Sequence, residues 1–274
     1  MKNTTVISQV GDAFLTNRLL QILIAVLSVG NLLSNWKISL DDSWGGVNSI
    51  LFEPFFGVGS TFGPYFPYVM ILFVILITMQ INAKEQLSNV RFWSIIREGF
   101  KGYTKRMLSV TLATVIAFIL ITDVFSIVLL VLKHGFIFVV DPILISNGLD
   151  GIFGPIMTTL TLLFFQLLYA AGYTIGSLLL MQFVTRLWQT IVYPFIWFVI
   201  FPQLVAELSI GLGYSSLANY SPERITNRIM IAYPNETGWQ AFNLNLGLSV
   251  GMILIYGLAL IAAWNWQRKR GGIL

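Results

Sequence analysis

Six long apolar stretches are separated by more polar segments along the chain. A helix needs about 20 apolar residues to cross the hydrocarbon core of a bilayer, and each stretch approaches or exceeds that length. The stretches cover residues 13–33, 66–83, 107–132, 153–182, 188–211 and 243–266. This pattern predicts an all-α integral membrane protein in which residues 1–274 form one domain with six transmembrane helices.

Two features within the predicted spans affect helix geometry. Pro194 and Pro202 each remove a backbone donor from the fifth span, so we expect this helix to break or bend. Glycines four residues apart allow two membrane helices to approach closely. Such pairs occur in the fourth and sixth spans, at Gly172 and Gly176 and at Gly247 and Gly251. We expect both pairs to pack within the six-helix unit rather than at a seam between subunits.

The amino-acid composition agrees with a membrane protein. Hydrophobic residues make up 56% of the chain and charged residues only 10%, whereas soluble proteins carry about a quarter charged residues. The sequence contains no cysteine, which excludes disulfides, thiolate nucleophiles and cysteine metal sites. His134 is the single histidine, so a histidine-rich metal centre is excluded as well.

The basic residues predict the orientation of the chain, because cytoplasmic loops of membrane proteins carry an excess of Lys and Arg. With the N-terminus in the cytoplasm, twelve basic residues fall on the inner side: Lys2, Arg18, Lys84, Arg91, Arg97, Lys101, Lys105, Arg106, Arg186, Arg268, Lys269 and Arg270. Four fall on the outer side: Lys37, Lys133, Arg224 and Arg228. This bias predicts that both termini are cytoplasmic, which an even number of spans allows.

The polar segment between the second and third spans has the spacing of an amphipathic helix over residues 84–100. Its apolar stripe consists of Trp93, Ile96 and Phe100, three to four residues apart. Gly99 or Gly102 can end the helix. One interpretation is an interfacial anchor whose basic residues meet anionic head groups. The other is a helix that docks into a groove of a cytoplasmic partner and transmits its motion. The composition of the segment leaves both interpretations open.

Several local sequences accompany this layout. The charged helix opens with Ala83-Lys84-Glu85-Gln86, and Gly102-Tyr103-Thr104-Lys105-Arg106 leads into the third span. A proline-bearing fifth span follows, then an outer segment rich in small and aromatic residues, and the last span closes with Gln267-Arg268-Lys269-Arg270. Together with six spans and two cytoplasmic termini, these features resemble the permease subunits of ABC type-2 exporters, a family that includes drug, antibiotic-peptide and polysaccharide export systems.

The resemblance implies partners and a mechanism. Such a permease forms a homodimer or pairs with a similar subunit among membrane lipids, and it binds two separate ATPase subunits. ATP and Mg²⁺ would be held by those subunits, so this chain would bind no cofactor, and no nucleic-acid partner is expected. Residues 84–100 would be the coupling helix in a cleft of the ATPase, with these contact residues: Lys84, Glu85, Gln86, Arg91, Trp93, Ile96, Arg97 and Glu98. A re-entrant outer segment before the sixth span would close the outer gate.

The sequence lacks the motifs of common enzymes. It has no G-x-x-x-x-G-K-[ST] run to cradle ATP phosphates, no H-E-x-x-H and no G-x-S-x-G. Asp123 and Glu207 are the acids that fall inside predicted spans, which makes them candidates for lining a translocation pathway.

The expected function is therefore an export permease without its own ATPase site, located in a bacterial plasma membrane. Its substrate is expected to be amphipathic, such as a peptide, an antibiotic or a lipid-like molecule. One alternative is a non-transporting scaffold, immunity or sensor protein whose cytoplasmic helix is a lipid anchor. The other is an intramembrane enzyme that uses Asp123 or Glu207.

Overall fold

A computed structural model describes residues 6–34, 66–86, 90–134, 153–213 and 236–269. Within these ranges the chain is almost entirely helical and contains no strand. Its elements are α1 (Val6–Thr16), α2 (Arg18–Ser34), α3 (Phe66–Gln86), α4 (Val90–His134), α5 (Phe153–Met181), α6 (Gln189–Phe195), a π-helical segment (Ile196–Ile200), α7 (Phe201–Gly211) and α8 (Glu236–Lys269). The predicted all-α class is confirmed for the described residues.

Four helical stretches are long and apolar enough to cross a membrane. They are Trp93–Lys133, Leu163–Met181, Gln189–Gly211 and Phe242–Lys269, and they coincide with the third to sixth predicted spans. Two shorter apolar stretches, Arg18–Gly30 and Tyr68–Asn82, lie in α2 and α3. The described chain therefore has the character of a membrane protein with several spanning helices.

The N-terminal helices are interrupted at Asn17, between α1 and α2. Asn17 Oδ1 accepts a hydrogen bond of 3.1 Å from the backbone N–H of Leu19. Asparagine is well suited to this position because its side chain satisfies a backbone donor that the first turn of a helix leaves free. The first predicted span is thus not one continuous helix: residues 13–16 belong to α1, and the apolar helix begins at Arg18.

α4 is the central helix of the described chain, because it packs against α1, α2, α3 and α5. The largest buried cluster joins four of these helices: Leu20, Leu23 and Leu27 of α2, Phe73, Val74 and Ile77 of α3, Val115, Phe118 and Ile119 of α4, and Ala170 of α5. Close packing of such side chains is a main source of helix association inside a bilayer, where lipid tails are as apolar as leucine.

α8 packs along α5, and the glycine pair of the fourth span makes this contact close. A Cβ atom added at Gly172 would overlap Met252, and one added at Gly176 would lie 2.5 Å from Phe198 Cζ. This pair therefore packs within the chain, as predicted. For the glycine pair of the sixth span, no described atom lies within 4 Å of an added Cβ, so the described residues do not provide the packing that we predicted there.

The prolines of the fifth span widen the helix but do not break it. Pro194 lies within α6 and Pro202 lies in the first turn of α7, with the π-helical segment between them. The backbone N–H of Phe201 donates to Ile196 O, five residues earlier, instead of to the carbonyl four residues earlier. A local change of helix type is one way in which a membrane helix satisfies the groups that a proline leaves unpaired.

The predicted re-entrant segment before the sixth span falls mainly on residues 214–235, outside the described residues. Residues 236–242, which the hydropathy pattern leaves in the outer loop, belong to α8. The last helix therefore begins earlier than predicted. The long outer loop at residues 35–65 also lies outside the described residues.

Candidate functional site

The predicted coupling helix of residues 84–100 is divided between two helices. Its first three residues, Lys84, Glu85 and Gln86, continue α3 to its end. Lys, Glu and Gln all favour a helix, so nothing in this stretch stops the second span where the hydropathy falls. Residues 87–89 lie outside the described residues, and the helix resumes at Val90.

Gly99 bends α4 near its start. Its backbone angles, φ 73° and ψ 156°, fall in a region that glycine adopts readily and other residues adopt only with strain. The bend separates a surface segment, residues 90–98, from a crossing segment, residues 100–134. The helix that resumes at Val90 is thus interrupted at Gly99, one of the two glycines expected to end the segment, and the crossing segment begins several residues before the predicted start at residue 107.

One ion pair joins the two sides of this bend, and a second lies between neighbouring residues before it. Arg106 Nε of the crossing segment donates a hydrogen bond of 2.8 Å to Glu98 Oε2, and Arg97 Nη2 donates one of 2.9 Å to Glu98 Oε1. The guanidinium of Arg106 also lies over the buried Tyr103 ring, 5.6 Å from its centre, within cation–π range. The Glu98 and Arg106 side chains are 22% and 28% exposed. Their hydrogen bond therefore restrains the angle of the surface segment.

Ile95 anchors the surface segment on the transmembrane helices. It is buried, with 6% of its surface exposed, and the neighbouring Ser94 is buried as well. The apolar cluster around Ile95, which we call the anchor cluster, contains Tyr103 and Met107 of α4, Ile175, Leu178 and Met181 of α5, Val184, and Leu260 and Trp264 of α8. Because close-packed interiors transmit displacements, movement of the surface segment would reach α5 and α8 through this cluster.

Trp93 and Ile96 are on the exposed side of the surface segment. Trp93 is 65% exposed and Ile96 is 58% exposed, and Arg97 beside them is exposed while its guanidinium contacts Glu98. Phe100, the third residue of the predicted apolar stripe, instead packs partly against the anchor cluster. Arg91 lies within the helix, but its side chain is outside the described part of the structure.

Asp123, one of the two acids predicted to line a pathway, is buried in the crossing segment of α4. Asp123 is 6% exposed, and the side-chain amide of Gln166 on α5 lies beside its carboxyl. Asp123 Oδ2 and both amide atoms of Gln166 are buried and have no hydrogen-bond partner among the described residues. Asp123 therefore lies at the packed interface between α4 and α5.

Glu207, the other predicted pathway acid, has a different environment. It is exposed on α7, and its Oε1 accepts a hydrogen bond of 3.0 Å from Gln203 Nε2. Gln203 Oε1 in turn accepts a hydrogen bond of 2.9 Å from the Tyr68 hydroxyl of α3. This chain of polar side chains ties the beginning of α3 to α7. The structure does not bring Glu207 together with Asp123 in one polar site, since one is exposed and the other is enclosed.

A buried amide links α3 to α4 on the cytoplasmic half of the predicted spans. Asn82 is 2% exposed, and its Nδ2 donates to Thr111 Oγ1 at 2.8 Å and to Thr78 O at 2.9 Å. The Thr111 hydroxyl itself donates to Met107 O at 2.7 Å. Buried polar groups in a membrane core need such partners, because no water is available there to replace them.

The residues of this arrangement that are absent from the sequence-based site include Ile95, Arg106 and Gln166. Ile95 is next to Ile96 of the predicted apolar stripe. Its burial becomes apparent only from the side of the helix that packs against the other helices. Arg106 pairs with Glu98 because of the bend, which a periodic pattern cannot describe. Gln166 could have been identified from the sequence, since it is an isolated polar residue in the apolar fourth span.

No protein-family model, curated protein or solved structure matches this chain. Among the described side chains, no group of three or more His, Cys, Asp or Glu residues could hold a metal ion. The candidate site is therefore defined by its own geometry: a short helical segment at the start of α4, bent at Gly99, in which Ile95 is buried in the anchor cluster.

Proposed function

We propose that this chain is the membrane-spanning permease subunit of an ATP-driven exporter of the ABC type-2 class. In this proposal the apolar helices of α2 and α3 are the first two of six crossings, and both termini are cytoplasmic. Two such subunits would enclose the pathway, and separate ATPase subunits, which hold ATP and Mg²⁺, would supply the energy. The proposed substrate is an amphipathic peptide, antibiotic or lipid-like molecule.

The observation that carries the proposal is the geometry of the surface segment. A helix that receives force from a partner must expose one face to that partner and fix another face to the elements that it moves. Trp93 and Ile96 are exposed, whereas Ile95 is buried in a cluster that also contains residues of α5, α8 and the crossing segment of α4. The hydrogen bond from Arg106 to Glu98 restrains the angle between the segment and α4.

These contacts suggest how ATP binding could move the pathway. Closure of the ATPase subunits would push on Trp93 and Ile96, and the anchor cluster would pass the displacement to α5 and α8. Packed helices of this kind move as rigid bodies more readily than they deform. In this scheme the surface segment acts as a positioning element and takes no part in ATP chemistry.

A second candidate is a non-transporting scaffold, immunity or sensor protein. The exposed Trp93 favours it specifically, because tryptophan is enriched at membrane–water interfaces. With Arg97 beside it, the segment could lie on anionic lipid without any protein partner. The two candidates predict different neighbours for the same exposed side chains, which makes them separable.

Site-specific cross-linking tests the proposal. A photo-reactive amino acid is placed at Trp93 or Ile96 of the full-length tagged chain in its native host, and the cross-linked products are identified by mass spectrometry. We expect a protein that carries a P-loop ATPase motif at both positions. Leu258 is the matched control, because it is 67% exposed but lies on a different helix, α8. It should cross-link to lipid.

A quantitative test follows from the same contact. Trp93→Asp or Ile96→Asp should weaken binding of the captured ATPase about tenfold or more, because buried aromatic and aliphatic anchors commonly carry at least 1.4 kcal/mol at an interface. Leu258→Gln should leave binding unchanged. Cross-links to phospholipid alone at both surface positions would reject the exporter and support the anchor interpretation.

A further inference from the structure

The most unusual polar group in the described helices is the Asp123 carboxyl. It is more than nine-tenths buried in the crossing segment of α4. A carboxylate inside a bilayer is costly, by about 3 kcal/mol on insertion scales and by more in simulations. The cost is reduced when the group is paired with a cation or is neutral. The surroundings of Asp123 distinguish these two possibilities.

No described cation compensates Asp123. The helices packed against α4 carry the following described ionisable side chains: Asp12 of α1, Arg18 of α2, Tyr68 of α3, and Tyr169 and Tyr173 of α5. None of these groups lies beside the Asp123 carboxyl, and the polar side chain that does lie beside it is the neutral amide of Gln166. The nearest hydroxyl in sequence, Thr122 Oγ1, donates to Phe118 O within α4.

The hydrogen-bonding capacities of Asp123 and Gln166 identify the matching protonation state. A primary amide offers a donor at Nε2 and an acceptor at Oε1, and both atoms of Gln166 are buried without a partner. A carboxylate can accept but cannot donate, so it would leave Gln166 Oε1 without a donor. A protonated carboxyl has one donor and one acceptor, which matches both amide atoms at once.

We propose that Asp123 and Gln166 form a proton-binding site inside the membrane, in which the Asp123 carboxyl holds the proton and Gln166 Oε1 accepts its hydrogen bond. The ligand is the proton itself. The site joins α4 to α5, so loss of the proton would place an uncompensated charge at a packed interface. The proposal does not depend on the exporter function, since it concerns the two side chains alone.

Infrared spectroscopy of the full-length protein in lipid bilayers tests this proposal. At neutral pH the wild-type protein should show the C=O stretching band of a protonated carboxyl, and Asp123→Asn should remove it. Gln166→Leu should keep the band and move it to higher frequency, because the carboxyl loses its hydrogen-bond acceptor. Glu98→Gln, which removes a salt-bridged carboxylate, is the control and should leave the band unchanged.

A stability measurement gives an independent readout. In the proposed site, loss of the proton would leave a charge at the packed interface between α4 and α5. Stability should therefore decrease as the pH rises, more steeply in the wild-type protein than in Asp123→Asn. Two results would overturn the proposal: an infrared spectrum in which the wild type and Asp123→Asn do not differ in the protonated-carboxyl region, or a band that appears only when Na⁺ is removed. The second result would make the site a metal-cation site.

Discussion

Glu98 and Arg106 lie on opposite sides of the bend at Gly99, and Arg106 Nε donates a hydrogen bond of 2.8 Å to Glu98 Oε2. Eight residues separate them, so a straight helix would place them more than two turns apart. The bend brings the charges together, and the pair in turn restrains the bend. This relationship makes the surface segment a rigid extension of α4 and gives the first prediction.

The Glu98–Arg106 pair should contribute measurably to stability. In a double-mutant cycle of Glu98→Gln and Arg106→Gln, we expect a coupling energy of about 1 kcal/mol, near the upper limit for exposed pairs, because both groups are largely shielded from water. Arg97→Gln is the comparison, since that side chain is 60% exposed, and it should cost less than Arg106→Gln. Thermal unfolding in detergent measures all four variants. A coupling energy near zero would remove the pair as a restraint on the bend.

Gly99 should be the least replaceable residue of the bend. Gly99→Ala should destabilise the protein by about 1–3 kcal/mol, the cost of holding a non-glycine residue in this backbone region. No described atom lies within 4 Å of the added Cβ, so the effect comes from the backbone and not from a clash.

Gly102→Ala provides the control for Gly99→Ala. Gly102 is exposed in regular helix, and an added Cβ would make an ordinary contact of 3.5 Å with Glu98 Cβ. This variant should be neutral or slightly more stable, because alanine favours a helix by about 1 kcal/mol over glycine. Chemical unfolding followed by circular dichroism separates the two variants. Equal effects would show that the angle at Gly99 imposes no strain on alanine.

Hydropathy predicted the positions of the helices well, because the length and apolarity of a span are local properties of the sequence. The third to sixth predicted spans each coincide with a helix of sufficient length. Helix ends were less predictable. Asn17 interrupts the first span by capping α2, and Lys84 continues α3 because its helix propensity outweighs its polarity.

The site was predictable only in part, since its residues meet through tertiary packing. The sequence indicated a helical segment at residues 84–100 and a glycine, Gly99, at which the helix is interrupted. The burial of Ile95 and the exposure of Trp93 depend on which side of the helix docks, and two overlapping apolar faces in one short segment do not specify that side. Gln166 could be recognised as an isolated polar residue, but its pairing with Asp123 requires the packing of α4 against α5.

Two glycines, Gly176 on α5 and Gly247 on α8, should respond in opposite ways to replacement by alanine. Gly176→Ala should destabilise the protein by about 1–3 kcal/mol, because the added methyl group would lie 2.5 Å from Phe198 Cζ and 3.1 Å from Tyr256 Cδ2. Gly247→Ala on α8 meets no described atom within 4 Å and should be neutral or stabilising. Unfolding midpoints in the same detergent compare the two. Destabilisation of similar size at Gly247 would indicate that a second subunit or another segment packs there.

The hydrogen bond between α3 and α4 gives a prediction with a near-isosteric control. Thr111→Val removes the acceptor at Oγ1 and leaves one N–H of the buried Asn82 amide without that partner, so we expect a loss of about 1 kcal/mol. Thr114→Val removes a buried hydroxyl whose hydrogen bond is to Val110 O in its own helix. It should cost distinctly less, because that carbonyl keeps its place in the helical hydrogen-bond ladder.

Asn82→Ala extends this comparison. If the Asn82–Thr111 bond is the relevant interaction, Thr111→Val should cost little in the Asn82→Ala background, because the donor that it would leave unsatisfied is already absent. Thr114→Val should have the same small effect in both backgrounds. A cost for Thr111→Val that is unchanged by Asn82→Ala would mean that the threonine acts through packing of its methyl group, and the polar link between α3 and α4 would then contribute nothing to holding the two helices together.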